Sequence, residues 1–193
     1  MSAAELTLAN YSCYAIVNRA QGTPIVFLHG YSFSSNVWQR TGVIELLKEK
    51  RIPFIALDMP YGAKSRCQPR TRNVESNVAV IKEALQSVFG PVLPVLVGAS
   101  IGGHIAVQYS SLFPVKALLL LAPVRLREER LKQSYSSFKF PVRIIIGSED
   151  RVASLEELQE VAAKLPDAEL VVYEKAGHAA YLERSDRFKQ DLL

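Results

Sequence analysis

Short, unbroken apolar runs alternate along the chain with longer segments whose apolar residues recur every three or four positions. The runs at 25–28, 53–57, 92–97, 115–121, 141–146 and 169–173 have strand length. Rich in Val, Ile and Leu and lacking polar alternation, they suit strands buried on both faces of a parallel sheet. Between them lie helical patterns. Residues 37–50 place Trp38, Ile44 and Leu47 on one face, with Asn36 or a neighbouring serine as cap. Residues 73–89 do the same with Val78, Ile81, Ala84, Leu85 and Val88. Further helices are expected after residue 103, where Ile105, Ala106 and Tyr109 recur, and at 155–165 and 179–192. Residues 6–8 and 12–17 read as two strands joined by a turn at Ala9-Asn10, with no helix between them. The alternation predicts an α/β fold: a mostly parallel sheet, helices on both faces, and an antiparallel N-terminal edge. No repeat or linker interrupts it, so residues 1–193 are expected to form one domain.

Composition narrows the functional classes. The 193 residues are 49% hydrophobic, enough for a large core. A net charge of +4 with both signs interspersed gives no nucleic-acid footprint. Cys13 and Cys67 have no metal spacing and suggest no disulfide framework, so free thiols in a reducing cytosol are expected. The first seven residues lack the layout of a signal peptide. Residues 84–115 carry no formal charge over the length of a membrane span. Pro91, Pro94 and the Gly102-Gly103 pair nevertheless argue against a continuous lipid-facing helix, and no membrane association is expected. There is no Gly-x-Gly-x-x-Gly and no Gly-Lys-Ser/Thr, so no dinucleotide or P-loop site is indicated. No cofactor and no metal are expected.

One stretch carries chemistry. Gly98-Ala99-Ser100-Ile101-Gly102 turns the chain sharply from an apolar run into a helical pattern. Gly-x-Ser-x-Gly in a strand–turn–helix setting lifts a serine hydroxyl clear of the sheet's carboxyl edge. The bland reading is a glycine-rich loop that lets a helix pack closely on a strand. A nucleophilic serine needs a base within hydrogen-bond reach, itself oriented by a third group. Among three histidines, His29 ends a strand and is placed to order its loop. His104 lies one helical turn beyond Ser100 and is expected to point away in a packing or solvent role. His178 follows the last strand, at the same sheet edge as Ser100; its alternative is a surface histidine capping the final helix. The orienting acid should also end a strand. Asp150, Glu149 and Asp58 all do so, and Asp150 fits the order Ser…Asp…His. Asp58 is expected to fix its own loop by accepting backbone N–H bonds. A developing oxyanion needs backbone donors: Ile101, after the serine, and Tyr31, on the loop after the third strand.

These elements together resemble the α/β-hydrolase family over essentially the whole chain. The sequence is similar to the small CIB-type serine hydrolases in 27–35 with Trp38, in 56–60, in 121–124, in 146–150 and in 176–182. The resemblance implies a triad of Ser100, Asp150 and His178 acting through an acyl-enzyme on a small acyl substrate. Carboxylic ester is the expected bond, with thioester, amide or acyl transfer as alternatives and a non-catalytic interaction module as the rival. In the loop at 60–65, one glycine stands where relatives often have two.

Many proteins of this fold insert a cap between the strands ending near Pro123 and starting near Pro141. Only residues 124–140 are available here, so a minimal cap, a shallow acyl pocket and short acyl chains are expected. The loop from Met59 to Arg72 holds Lys64, Arg66, Arg70 and Arg72 and no acid. It reads either as an ordinary solvated basic loop or as a border of the site favouring anionic substrates.

Overall fold

The computed structural model describes residues 2–8 and 10–193. Ala9, half of the expected first turn, lies outside the described residues; Asn10 is in a turn. Eight strands follow one another as β1 (Ser2–Leu8), β2 (Tyr11–Asn18), β3 (Ile25–Leu28), β4 (Phe54–Leu57), β5 (Val95–Ala99), β6 (Ala117–Leu121), β7 (Val142–Gly147) and β8 (Ala168–Tyr173). They form a single sheet in the order β1-β2-β4-β3-β5-β6-β7-β8. Only the β1–β2 and β2–β4 pairs are antiparallel; from β4 to β8 all neighbours are parallel. The helices are α1 (Val37–Arg40), α2 (Val43–Glu49), α3 (Val74–Phe89), α4 (Ile101–Leu112), α5 (Glu129–Lys132), α6 (Leu155–Ala162), α7 (Ala180–Glu183) and α8 (Ser185–Leu192).

Side chains of a strand alternate between the two faces of the sheet, so each run feeds two cores. Leu28, Leu57, Leu96 and Ile144 pack with Ile81 and Leu85 of α3, Ile105 of α4 and Leu158 of α6. Phe27, Phe54, Val97 and Ile145 pack on the other face with Trp38, Ile44, Leu47 and Phe188. Trp38 lies against Phe27 at 5.0 Å between ring centroids, a tilted arrangement that aromatic pairs favour. The double cover explains why the strands show no polar alternation.

Three expectations shift. The fifth strand runs from Val95 to Ala99, not 92–97, because its ladder with β3 begins at the Ile25–Val95 pair. Val92 and Leu93 are left exposed. The helix expected over 37–50 breaks at Gly42, whose φ of 73° lies in the left-handed region where glycine carries no steric penalty. The last helix divides into α7 and α8 at Arg184. Among the described residues no helix is long and apolar enough to cross a membrane. The uncharged stretch 84–115 is the end of α3, all of β5 and all of α4.

The cysteines require a correction. Cys13 and Cys67, 54 residues apart, form a disulfide, and both are fully buried. The loop after β4 folds back across β2, where Ser12 and Gln68 exchange N–H···O bonds of 2.8 and 2.9 Å. That return path has no local signature in the spacing of two cysteines. The free-thiol argument for a cytosolic setting goes with it.

Candidate active site

Ser100 stands between β5 and α4 with φ 54° and ψ −118°, a backbone region that costs a side-chain-bearing residue about 1–3 kcal/mol. Two features hold it there. Its N–H donates to the Leu121 carbonyl at 2.8 Å, tying the turn to β6. Gly98 and Gly102 also let the turn close: a Cβ on Gly98 would lie 2.5 Å from the Gly102 carbonyl oxygen, and one on Gly102 would strike the Leu28 carbonyl oxygen of β3. Backbone cannot yield as a flexible side chain can.

The loops after β7 and β8 are stitched together. Glu149 N–H donates to the Ala176 carbonyl at 2.9 Å, and Lys175 N–H donates to Ser148 Oγ at 2.9 Å. Gly177 N–H donates to Glu183 Oε2 at 3.1 Å. These bonds bring His178 over Asp150. Nδ1 of His178 lies 2.9 Å from Oδ2 and 3.1 Å from Oδ1 of Asp150, and Nε2 lies 3.0 Å from Ser100 Oγ. A carboxylate only accepts, so Nδ1 carries the proton and Nε2 is left to accept from the serine hydroxyl. Asp150 is itself fixed, its Oδ1 accepting from the N–H groups of Val152 at 2.7 Å and Ala153 at 3.0 Å. Its side chain is fully buried, while the imidazole remains 28% exposed. The hydroxyl, imidazole and carboxylate thus form one continuous line at the sheet's carboxyl edge.

The other candidates fall elsewhere. Glu149 is exposed beside this line. Asp58, fully buried, accepts from Ser35 N–H at 2.7 Å and Arg66 N–H at 2.8 Å, fixing two loops at once. His29 orders its own loop. Its Nε2 accepts from Met59 N–H at 3.0 Å, so Nδ1 is the donor to the Gly30 carbonyl at 2.8 Å. Burial holds its pKa below the ordinary histidine value. Ile101 N–H and Tyr31 N–H have no protein acceptor among the described residues. The loop bearing Tyr31 runs beside the elbow, since a Cβ on Gly30 would sit 3.6 Å from Ser100 Cβ.

A cleft of about 890 Å³ opens at Ser100. Its lining includes the apolar side chains of Tyr61, Ile101, Ile105 and Val124 and the charged ones of Arg72, Arg125, Arg127, Glu128 and Glu157. The cap segment holds only α5 and one 3-10 turn, Tyr135–Ser137, as its length allowed. Its residues Val124, Arg125, Arg127 and Glu128 line the cleft. His104, expected in a packing or solvent role, is fully buried on its helix and also borders this cleft. Neither ring nitrogen makes a well-formed hydrogen bond, and Glu128 Oε2 lies 3.8 Å from Nε2. Burial lowers its pKa, against the pull of Glu128. Tyr61 escaped the sequence reading: its hydroxyl donates to the His29 carbonyl at 2.6 Å, and only the fold brings the two together. Among the described residues, no group of three or more His, Cys, Asp or Glu could hold a metal ion.

Comparison with known proteins bears on the fold. A family model described as "Alpha/beta hydrolase family" matches residues 25–140, covering Ser100 and ending before Asp150 and His178. Protein ABHD14A of Mus musculus is 27% identical over 179 residues, which span 92% of this chain and 71% of that protein. The human "Putative protein-lysine deacylase ABHD14B" is 25% identical over 178 residues, spanning 88% of this chain and 80% of that protein. The crystal structure of a predicted CIB-like hydrolase from Thermoplasma acidophilum superposes with a TM-score of 0.86 at 21% identity, covering 99% of this chain and 95% of that one. The sheet order had already narrowed the choice of fold, and the family match completes it: the chain belongs to the alpha/beta hydrolase family.

Proposed function

We propose that the protein is a serine hydrolase that cleaves short-chain carboxylic esters through an acyl-enzyme. Ser100 Oγ attacks the substrate carbonyl while His178 Nε2 takes its proton, and Asp150 holds the imidazole in the productive tautomer. The N–H groups of Tyr31 and Ile101 receive the oxyanion, a contribution of about 3–4 kcal/mol per donor in comparable sites. The protonated imidazole then gives its proton to the leaving alcohol. Water, deprotonated by the same Nε2, attacks the acyl-serine and restores the enzyme.

The observation that carries this reading is the pair of contacts on one imidazole, 3.0 Å to a hydroxyl held on a strained turn and 2.9 Å to a buried carboxylate. The preference for short chains rests on polarity, since the volume itself does not limit the chain. An alkyl chain extending along the cleft would meet arginines and glutamates beside the apolar side chains, and each CH₂ placed against them forgoes the ~0.8 kcal/mol that burial supplies. A series of p-nitrophenyl esters tests both parts. Activity is expected to peak at four carbons or fewer and to fall about 10⁴-fold or more in Ser100→Ala. A maximum at twelve carbons, or a Ser100→Ala variant as active as wild type, would overturn the reading.

The printed name of ABHD14B favours a second reading, hydrolysis of an acyl-lysine amide by the same residues. An acetyl-lysine peptide assayed beside p-nitrophenyl acetate separates the two.

A further inference from the structure

We infer that the substrate carries a carboxylate, and that the guanidinium of Arg72 together with the hydroxyl of Tyr31 receives it at the edge of the catalytic cleft. This inference rests on the hydrolase reading for the position of the bond to be cleaved.

Of the four basic side chains on the loop after β4, the fold directs only Arg72 into the cleft lining. Arg66 is bound to Asp58 and lies over the Tyr14 ring, 3.2 Å from its centroid. Arg70 donates to the Ser65 carbonyl. The other two arginines of the cleft are already matched, Arg125 by Glu128 at 2.7 Å and Arg127 by Glu160 at 2.8 Å. Arg72 has no carboxylate within 4.0 Å among the described residues. Its one polar contact is Nη2 donating to Tyr31 Oη at 2.8 Å, with the guanidinium 5.0 Å from that ring's centroid. A guanidinium has five N–H donors in a planar fork that fits a carboxylate, and most of them are unspent here. The phenol, having accepted from Arg72, keeps its own O–H to donate to the same anion.

The backbone under Arg72 is held in place from both sides. Asn77 Nδ2 donates to the carbonyls of Thr71 at 3.1 Å and Asn73 at 2.7 Å. Thr71 N–H donates to the Pro60 carbonyl at 3.2 Å, and Thr71 Oγ1 accepts from Asn73 N–H at 3.1 Å. Asn73 also caps α3 through Ser76 N–H. An exposed arginine on a solvated loop needs no such support, and a rigid mount lowers the ordering cost of binding. Glu157 lines the cleft from α6, beyond β7, and repels an anion from that side.

The test uses two pairs of esters, each an anion and its methyl ester. Mono-p-nitrophenyl adipate and its methyl ester place the charge on the acyl side; 4-acetoxybenzoate and its methyl ester place it on the leaving group. In at least one pair, kcat/KM for the anion relative to its methyl ester, corrected for hydroxide reactivity, is expected to fall roughly tenfold from wild type to Arg72→Gln, with partial rescue in Arg72→Lys. Which pair responds assigns the side. Calorimetric titration of Ser100→Ala with adipate and with 4-hydroxybenzoate gives a reading independent of turnover, and adding Arg72→Gln is expected to weaken one of them roughly tenfold. Ratios and affinities that ignore Arg72 would overturn the inference. Full esterase activity in Ser100→Ala with Arg72-dependent binding intact would overturn the hydrolase reading and leave the carboxylate site standing.

Discussion

Two kinds of loop meet at the carboxyl edge of the sheet, and they are built on different principles. The turn at Ser100 and the loops after β7 and β8 are short and cross-bonded through their own backbone N–H groups. Gly98, Gly102 and Gly147 sit where a single added carbon would strike a carbonyl oxygen. The loop at 59–73 and the cap segment at 124–140 are longer and charged, tied by side chains: Asp58 to Arg66, Asn77 to the carbonyls around Arg72, Arg125 to Glu128. In the first kind the backbone sets the geometry; in the second, side-chain identity does. The proposed chemistry lives in the first and the selectivity in the second, so damage to each should look different.

The largest effect should come from the rigid side. Asp150→Asn presents an N–H donor where the imidazole needs an acceptor, favouring the wrong tautomer. Steady-state kinetics should show kcat reduced about 10⁴-fold with the fold intact by circular dichroism. Gly102→Ala places a Cβ against the backbone of β3 and should cost about 4 kcal/mol in urea unfolding. On the softer side, replacing Cys13 and Cys67 together by alanine frees a 54-residue closure and should lower stability by about 3 kcal/mol in urea unfolding. If instead the pair contributes nothing, the loop bearing Arg72 is held by hydrogen bonds alone.

Acid should probe the same contrast more gently. His29 is buried with a folded pKa below 6.5, so the unfolded chain binds its proton first. Its contribution to stability is present above pH 6.5 and is lost as pH falls toward the folded value, by at most about 1.4 kcal/mol per pH unit. The buried His104 has the same sign. Urea midpoints from pH 7.5 to 5 should fall more steeply in wild type than in His104→Gln. The smallest effect belongs to the rim: Arg127→Gln breaks an exposed pair with Glu160 and should change stability by less than about 0.5 kcal/mol.

The same contrast explains what could be read from the sequence. Runs such as 25–28 and the face formed by Val78, Ile81, Ala84 and Leu85 follow from period and burial, so the sheet and α3 were legible. The meeting of Ser100, Asp150 and His178 was legible because each follows the end of a strand, and those strand ends share one edge. Properties that depend on distant partners were not. Val92 and Leu93 look like strand, but the ladder with β3 starts at Val95. Cys13 meets Cys67 only because a loop doubles back over β2. Arg72 is one basic residue among four until Asn77 and Tyr31 are seen beside it. His104 was legible as a packing residue, but its place beside the cleft depends on the chain returning at Arg125 and Glu128.

The most direct test of the account is mass spectrometry of the protein after reaction with a fluorophosphonate. The account predicts one adduct per chain, on the peptide containing Ser100, formed far more slowly in His178→Ala. An adduct elsewhere, or labelling of Ser100 at an undiminished rate without the imidazole, would contradict it.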